Sequence, residues 1–179
     1  MKRVLIIITG GVAIYKAVEV VRLLKKRGYE MNCIMTKSAT ELIKPLLFTT
    51  VSGNPVRTDT FEERSDGKIE HIFATREVDL VLVVPATANI IGKIANGIAD
   101  DLASTAIMAS NKPVIVVPAM NSMMWNSKAF QRNLAQIKKD KVHVIEPKEG
   151  AMACGEEGKG RMESPEKIVE YLENLIKNN

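Results

Sequence analysis

Three short runs of the chain are wholly apolar: Val4 to Ile8, Leu80 to Val84 and Val114 to Val117. None alternates polar with apolar residues, and β-branched side chains dominate, so each predicts a parallel strand covered on both faces. Met31 to Met35 and Val142 to Ile145 predict two further strands on shorter patterns. Between the runs, apolar positions recur at helical spacing. Ala13 to Arg27 has them at 14, 17, 18, 21 and 24, one face of a helix that Gly28 closes as its C-cap. Ile90 to Ala109 predicts one or two helices with a break near Gly97, and Trp125 to Lys139 predicts another. Pro165 to Ile176 predicts a last one, with Ser164 as N-cap and Pro165 at the first helical position. Strands alternating with helices make an α/β fold, a single domain over residues 1–179 built on an open, doubly wound parallel sheet.

Composition changes this picture little. A chain of 179 residues buries a sizeable core without disulfides or metal. An apolar fraction of 46% and a charged fraction of 26% are ordinary for a globular protein. The net charge of +4 favours anionic small molecules, but Lys and Arg are dispersed and aromatics make up only 4%, which argues against a nucleic-acid binder. Cys33 and Cys154 form neither a CxxC metal pattern nor a disulfide framework, so a reducing compartment, the cytoplasm, is expected. The apolar opening stops at Thr9-Gly10-Gly11 with no small-residue cleavage site, and no run reaches the ~20 apolar residues that span a bilayer.

Candidate chemistry gathers in the loops after the strands, where ligands of doubly wound sheets collect. Thr9-Gly10-Gly11-Val12-Ala13 joins the first strand to the first helix; its glycines allow a tight turn, and the helix N-terminus attracts a phosphate. The same glycines also suit a turn that binds nothing. Thr36-Lys37-Ser38 after the second strand and Thr87-Ala88-Asn89 after the third supply hydroxyl and amide partners, or alternatively N-caps. Asp100 and Asp101 stand near a helix start, where capping is the ordinary role of an acid. Pro118-Ala119-Met120-Asn121 follows the fourth strand; Asn121 offers a donor and an acceptor, which suits a carboxylate or amide and equally suits an N-cap. Gly150-Ala-Met-Ala-Cys154-Gly-Glu-Glu-Gly-Lys-Gly-Arg-Met162 is too polar for a core and too short for a helix, and reads as a flap carrying a thiol. In it Arg161 is a candidate clamp for an anionic substrate. Cys33, inside an apolar strand, reads as an inert core residue. By pattern alone His71 and His143 are structural or solvated histidines.

Four motifs in order carry a resemblance: Gly10-Gly-Val-Ala-Ile-Tyr-Lys16, Pro85-Ala-Thr-Ala-Asn-Ile-Ile-Gly-Lys-Ile-Ala-Asn-Gly-Ile-Ala-Asp-Asp-Leu102, Pro118-Ala-Met-Asn-Ser-Met-Met-Trp125 and Ala153-Cys-Gly-Glu-Glu-Gly-Lys-Gly-Arg-Met162. From residue 3 to about residue 170 the chain resembles the homo-oligomeric, flavin-containing cysteine decarboxylases, and within them the phosphopantothenoylcysteine decarboxylases. The resemblance implies a Rossmann- or flavodoxin-like flavoprotein fold, bound FMN, and decarboxylation of phosphopantothenoylcysteine to phosphopantetheine in coenzyme A biosynthesis. It also implies a trimer or dodecamer with FMN between subunits. In bacteria this domain is often the first half of a bifunctional protein, so the chain is expected to be either monofunctional or a truncated bifunctional protein.

By the same resemblance His71 is the active-site histidine and catalytic base, Asn121 binds the substrate carboxylate, and Cys154 is the acid that protonates the enethiolate during its reduction. Met120, Ala153, Lys159 and Arg161 complete the substrate set. FMN is expected against Gly10, Gly11, Thr36, Ser38, Thr87, Ala88 and Asn89. Relatives often carry Ser where Gly11 stands, so a side-chain contact to the FMN phosphate is missing here and backbone N–H groups take its place. Two other readings share the fold: a peptidyl-cysteine decarboxylase, which stops at the enethiol and needs no reducing cysteine, and a non-catalytic regulatory relative.

Overall fold

The all-apolar strands are apolar because helices cover both of their faces. In the computed structural model, which describes residues 2–59, 75–151, 155 and 157–178, β1 (Arg3–Ile8) is the centre of a six-stranded sheet. β2 (Glu30–Met35) and β4 (Leu80–Ala86) pair with it in parallel on either side. Outside them lie β3 (Val56–Arg57), β5 (Val114–Pro118) and β6 (His143–Val144), in the order β3-β2-β1-β4-β5-β6. This is the Rossmann rather than the flavodoxin order, and it reverses direction between β1 and β4.

Alternate residues of β1 enter opposite cores, as the period of two requires. Val4, Ile6 and Ile8 pack with α1 (Ile14–Lys26) and with Ile168, Val169 and Leu172 of α8 (Pro165–Asn178). Leu5 and Ile7 face a second cluster that includes α4 (Ala88–Asn96), α5 (Leu102–Ala109) and α7 (Lys128–Lys139). The helix ends follow from local chemistry. Gly28 takes φ +81° after α1, so that Tyr29 N–H reaches the Leu24 carbonyl and Gly28 N–H that of Lys25. The break expected near Gly97 is real: Gly97 is left-handed, and α5 restarts on an Asp101–Ser104 capping box.

Elsewhere the structure departs from the sequence pattern. The run from Trp125 to Lys139 is two helices, because the Ser127 hydroxyl caps Phe130 N–H and starts α7 behind a separate short α6 (Ser122–Asn126). α2 (Lys37–Leu42), α3 (Pro45–Ser52) and the two-residue β3 fill the stretch after β2, and Val142 to Ile145 contributes only the two residues of β6. The arms of the flap are strands: β7 (Lys148–Ala151) and β8 (Glu157–Arg161) form an antiparallel hairpin. Cys33 is fully buried in β2, and burial pushes its thiol up to about 12, so it stays protonated and inert as expected.

Candidate active site

The carboxyl ends of β1 and β4 lie side by side where the strand order reverses, and one hydroxyl ties them together. Thr9, 2% exposed, donates to the Pro85 carbonyl at 2.7 Å and accepts from Thr87 N–H at 3.2 Å. The two loops therefore hold a fixed spacing. Across the first turn, a Cβ on Gly10 would stand 2.6 Å from both Cβ and Oγ of Ser38, so only glycine lets this turn pass the start of α2. Ser38 Oγ is in turn 3.1 Å from Thr36 Oγ1, which caps Ala39 N–H.

These loops surround a cleft of about 210 Å³ lined by Thr9, Thr36, Lys37, Ser38, Thr87, Asn89, Ile90, Lys93 and Asp101. Of the cofactor residues expected from sequence, Thr36, Ser38, Thr87 and Asn89 line it, while Gly10 and Gly11 belong to the turn beside it and Ala88 opens α4. Thr9 and Lys93 were not anticipated. Lys93 sits one helical turn beyond Asn89, and that spacing of four was the available signal. Its ammonium bridges Asp100 Oδ1 at 2.6 Å and Asp101 Oδ2 at 2.7 Å. Burial opposes its charge, but the hydrogen bonds to the two aspartates outweigh this and hold its pKa above the ordinary value. The capping role weighed for Asp101 is observed; its carboxylate also faces the cleft.

The Pro118–Asn121 turn is joined to the wall of this cleft by Ala119 N–H, which donates to the Ala86 carbonyl at 3.1 Å. Asn121 is the N-cap of α6: its Oδ1 accepts Met124 N–H at 2.8 Å. With the oxygen so engaged, the Nδ2 amide is the end left to offer, and it offers two donors. On the other side Met120 N–H donates to the Gly160 carbonyl at 3.1 Å, which seats the hairpin on the turn. Lys16 reaches the end of the hairpin from α1, donating to the Met162 carbonyl at 3.2 Å; burial and then Arg161 and Lys148 lower its pKa. Arg161 is exposed. Lys159 is engaged although its side chain is 36% exposed: its ammonium donates to Glu146 Oε2 and stands 5.2 Å above the ring of Trp125. His71, Ala153 and Cys154 lie outside the described residues.

Glu146 also accepts from Lys138 at 2.8 Å, and the hydrogen bonds from Lys138 and Lys159 depress its pKa from 4.5 to about 2. A carboxyl with a lower pKa folded than unfolded adds stability that is complete above the unfolded value and lost as pH falls through the folded one. The stability gap between wild type and Glu146→Gln should therefore be constant above about pH 5 and close between about 4.5 and 2. The side chain is 45% exposed, so the gap should be no more than about 1 kcal/mol and should shrink in salt. Chemical denaturation across that range measures it, and a gap that widens on acidification would contradict the pairing.

A six-stranded parallel sheet with a hydroxyl-lined cleft at its switch point defines an α/β protein of the doubly wound class, with its cleft at the carboxyl edge where such sheets bind small molecules. Residues 1–177 match the Flavoprotein family, and the chain belongs to it. It is 45% identical over 172 residues to the coenzyme A biosynthesis bifunctional protein CoaBC of Bacillus subtilis (strain 168), covering 96% of this chain and 42% of that protein. Among solved structures it is similar to a PPC decarboxylase variant complexed with pantothenoylaminoethenethiol, at 28% identity and a TM-score of 0.87, with 98% of each chain covered. It is also similar to the FMN-dependent cysteine decarboxylase SpaF, at 26% identity and a TM-score of 0.86, covering 99% of this chain and 98% of that one. The chain spans less than half the length of the curated relatives it matches, 42% of the Bacillus subtilis protein and 44% of that from Vibrio vulnificus (strain YJ016).

Proposed function

We propose that the chain is an FMN-dependent decarboxylase that converts 4'-phosphopantothenoylcysteine to 4'-phosphopantetheine in coenzyme A biosynthesis. The observation that carries this reading is the seating of the hairpin on the Pro118–Asn121 turn, with the amide of Asn121 free to donate beside it. A donor suited to a carboxylate and the arms of the β7–β8 hairpin thus belong to one wall. Similarity to CoaBC and to PPC decarboxylase, over nearly the whole of this chain, supports the same substrate.

The cleft suits FMN by its donor set. Hydroxyls of Thr36, Ser38 and Thr87 and the amide of Asn89, with Lys37 beside them, match a phosphate on a polyol chain, and the close turn at Gly10 lets the backbone approach it. When bound, FMN would supply a two-electron acceptor for the CH₂–SH group of the substrate, after which its carboxylate leaves as carbon dioxide and the electrons return. Asn121 Nδ2 holds that carboxylate in place. By the resemblance His71 takes the proton and Cys154 returns one to carbon. Arg161, exposed on the hairpin, is the candidate cation for the charge of the substrate, whereas Lys159 is engaged by Glu146.

A homo-oligomer, trimer or dodecamer, belongs to this proposal. The cleft of about 210 Å³ is smaller than the roughly 300–1,000 Å³ of complete small-molecule sites, so a single chain supplies only part of the flavin pocket. Val12 and Tyr15 beside the first turn and Met123 beside Asn121 are 67%, 63% and 73% exposed, apolar surface that a second copy would cover. The protein acts in the cytoplasm on this reading, and no helix of the described residues is long and apolar enough to cross a membrane.

The test is the visible spectrum of the purified protein, then the mass of the product from phosphopantothenoylcysteine and from a peptide ending in cysteine. A yellow protein that yields phosphopantetheine, with Cys154→Ser halting at the enethiol and His71→Asn losing decarboxylation, is expected. Turnover of the peptide alone would make it a peptidyl-cysteine decarboxylase. Flavin binding without turnover of either would favour a regulatory relative.

A further inference from the structure

We infer that Lys159 is a positioning residue: through Trp125 and Glu146 it clasps the β7–β8 hairpin onto the turn that carries Asn121, and it does not itself meet the substrate. The activity arm of its test rests on the decarboxylase reading; the structural arm does not.

The hairpin grips the turn at three successive points. The Gly160 carbonyl takes Met120 N–H at 3.1 Å, just before Asn121. Just after it, Ser122 packs so closely on Gly158 that a Cβ added to the glycine would stand 2.9 Å from the Cβ of Ser122. The third point is the side chain of Lys159, which lies in sequence between the two glycines and reaches Trp125 of α6, the helix that follows the turn. Both neighbours of Asn121 are therefore held by β8, while its own Oδ1 is held by Met124. A slip of β8 would move the donor that faces the substrate.

Trp125 makes a firm anchor for the clasp. It is 5% exposed and packs on Phe130 with ring centroids 5.2 Å apart, inside the cluster beneath the sheet. An ammonium over an indole face is held electrostatically by the negative face of the ring, and here Glu146 neutralises it from the side. Glu146 is held in turn by Lys138 on α7. The clasp thus joins β8 to α6, to α7 and to the segment between β6 and β7. An ammonium so paired is poorly disposed to bind a substrate anion, which leaves that task to Arg161 two residues on.

The experiment compares Lys159→Met, Lys159→Arg and Glu146→Gln in the assembled, flavin-loaded protein. Hydrogen exchange at the Met120 amide should quicken at least tenfold in Lys159→Met, quicken less in Glu146→Gln, and stay near the wild-type rate in Lys159→Arg, whose guanidinium keeps both contacts. With phosphopantothenoylcysteine, Lys159→Met should lower kcat about tenfold while KM moves less than about twofold, because misplacement of Asn121 is lost in the reacting complex. A raised KM with unchanged kcat and unchanged exchange would make Lys159 a direct substrate contact and overturn the inference. Unchanged exchange in both Lys159→Met and Glu146→Gln would overturn it as well. Should the wild type turn over no substrate, the decarboxylase reading fails alone, and the exchange rates still decide the clasp.

Discussion

Asn121→Asp should fold as well as the wild type and lose turnover about a thousandfold. The two halves of that expectation come from the two ends of one side chain. Oδ1 already serves as the cap of α6, accepting Met124 N–H at 2.8 Å, and a carboxylate does this at least as well as an amide. The other end changes from a two-proton donor into an anionic oxygen. Set about 4 Å from the carboxylate of a bound cysteinyl substrate, at an effective dielectric near 20, it repels by about 4 kcal/mol, or about three powers of ten. Thermal unfolding and flavin content should be unchanged while kcat/KM collapses. Asn121→Ala serves as the counterpart: it removes the donor without adding charge, costs about 1 kcal/mol of stability through the lost cap, and should lose less activity than the aspartate. Equal substrate affinity in Asn121→Asp and wild type would separate Asn121 from the substrate altogether.

The sheet was legible because its central strands are buried on both faces, which leaves no polar residue to blur the run from Val4 to Ile8. Gly28 and Gly97 were legible for a related reason: a left-handed residue ending a helix has a chemical signature of its own. The hairpin had none. Lys148-Glu149-Gly150-Ala151 and Glu157-Gly158-Lys159-Gly160-Arg161 show no apolar alternation, since their order comes from backbone contacts with the Pro118–Trp125 turn rather than from a buried face. Such contacts leave glycines as their trace, and glycine in a charged stretch reads equally as a loop. The split of the Trp125 to Lys139 run was within reach, because Ser127 stands three residues before Phe130 and serine at that place is a cap.

Sequence singled out loops that line the cleft but weighed their residues one at a time. Capping and ligand binding were set against each other for Thr36, Thr87 and Asn121, yet each caps a helix here, as Asp101 does, and Thr36 and Thr87 also line the cleft. A capping oxygen fixes the orientation of its side chain and so improves what the rest of the group can bind. Thr9 was read only as the first residue of the turn after β1, where a hydroxyl has no pattern to announce its role; its partners, Pro85 and Thr87, lie at the end of β4 and just after it. The pairing of Lys159 with Glu146 spans 13 residues and exists only once the hairpin has formed.

Gly10→Ala and Gly11→Ser should part sharply, although they alter adjacent residues of one turn. At Gly10 the added carbon meets Ser38 at 2.6 Å from Cβ and 2.7 Å from the backbone carbonyl carbon, so no rotamer change relieves it and the start of α2 must retreat. Overpacking of this kind costs about 1–3 kcal/mol, and here it also displaces Thr36 and Ser38, two hydroxyls of the cleft. FMN affinity should fall at least tenfold. At Gly11 a Cβ would stand 3.5 Å from Thr87 Cγ2 and 3.6 Å from the Pro85 ring, ordinary contact distances. Gly11→Ser should change stability by less than about 0.5 kcal/mol and hold FMN at least as tightly, because a hydroxyl joins the backbone donors of the turn. Fluorescence titration of FMN into the flavin-stripped proteins, beside their unfolding midpoints, reads both effects. Gly10→Ala binding FMN with wild-type affinity would place the flavin somewhere other than this cleft, since no ligand that relies on Thr36 and Ser38 should be indifferent to their movement.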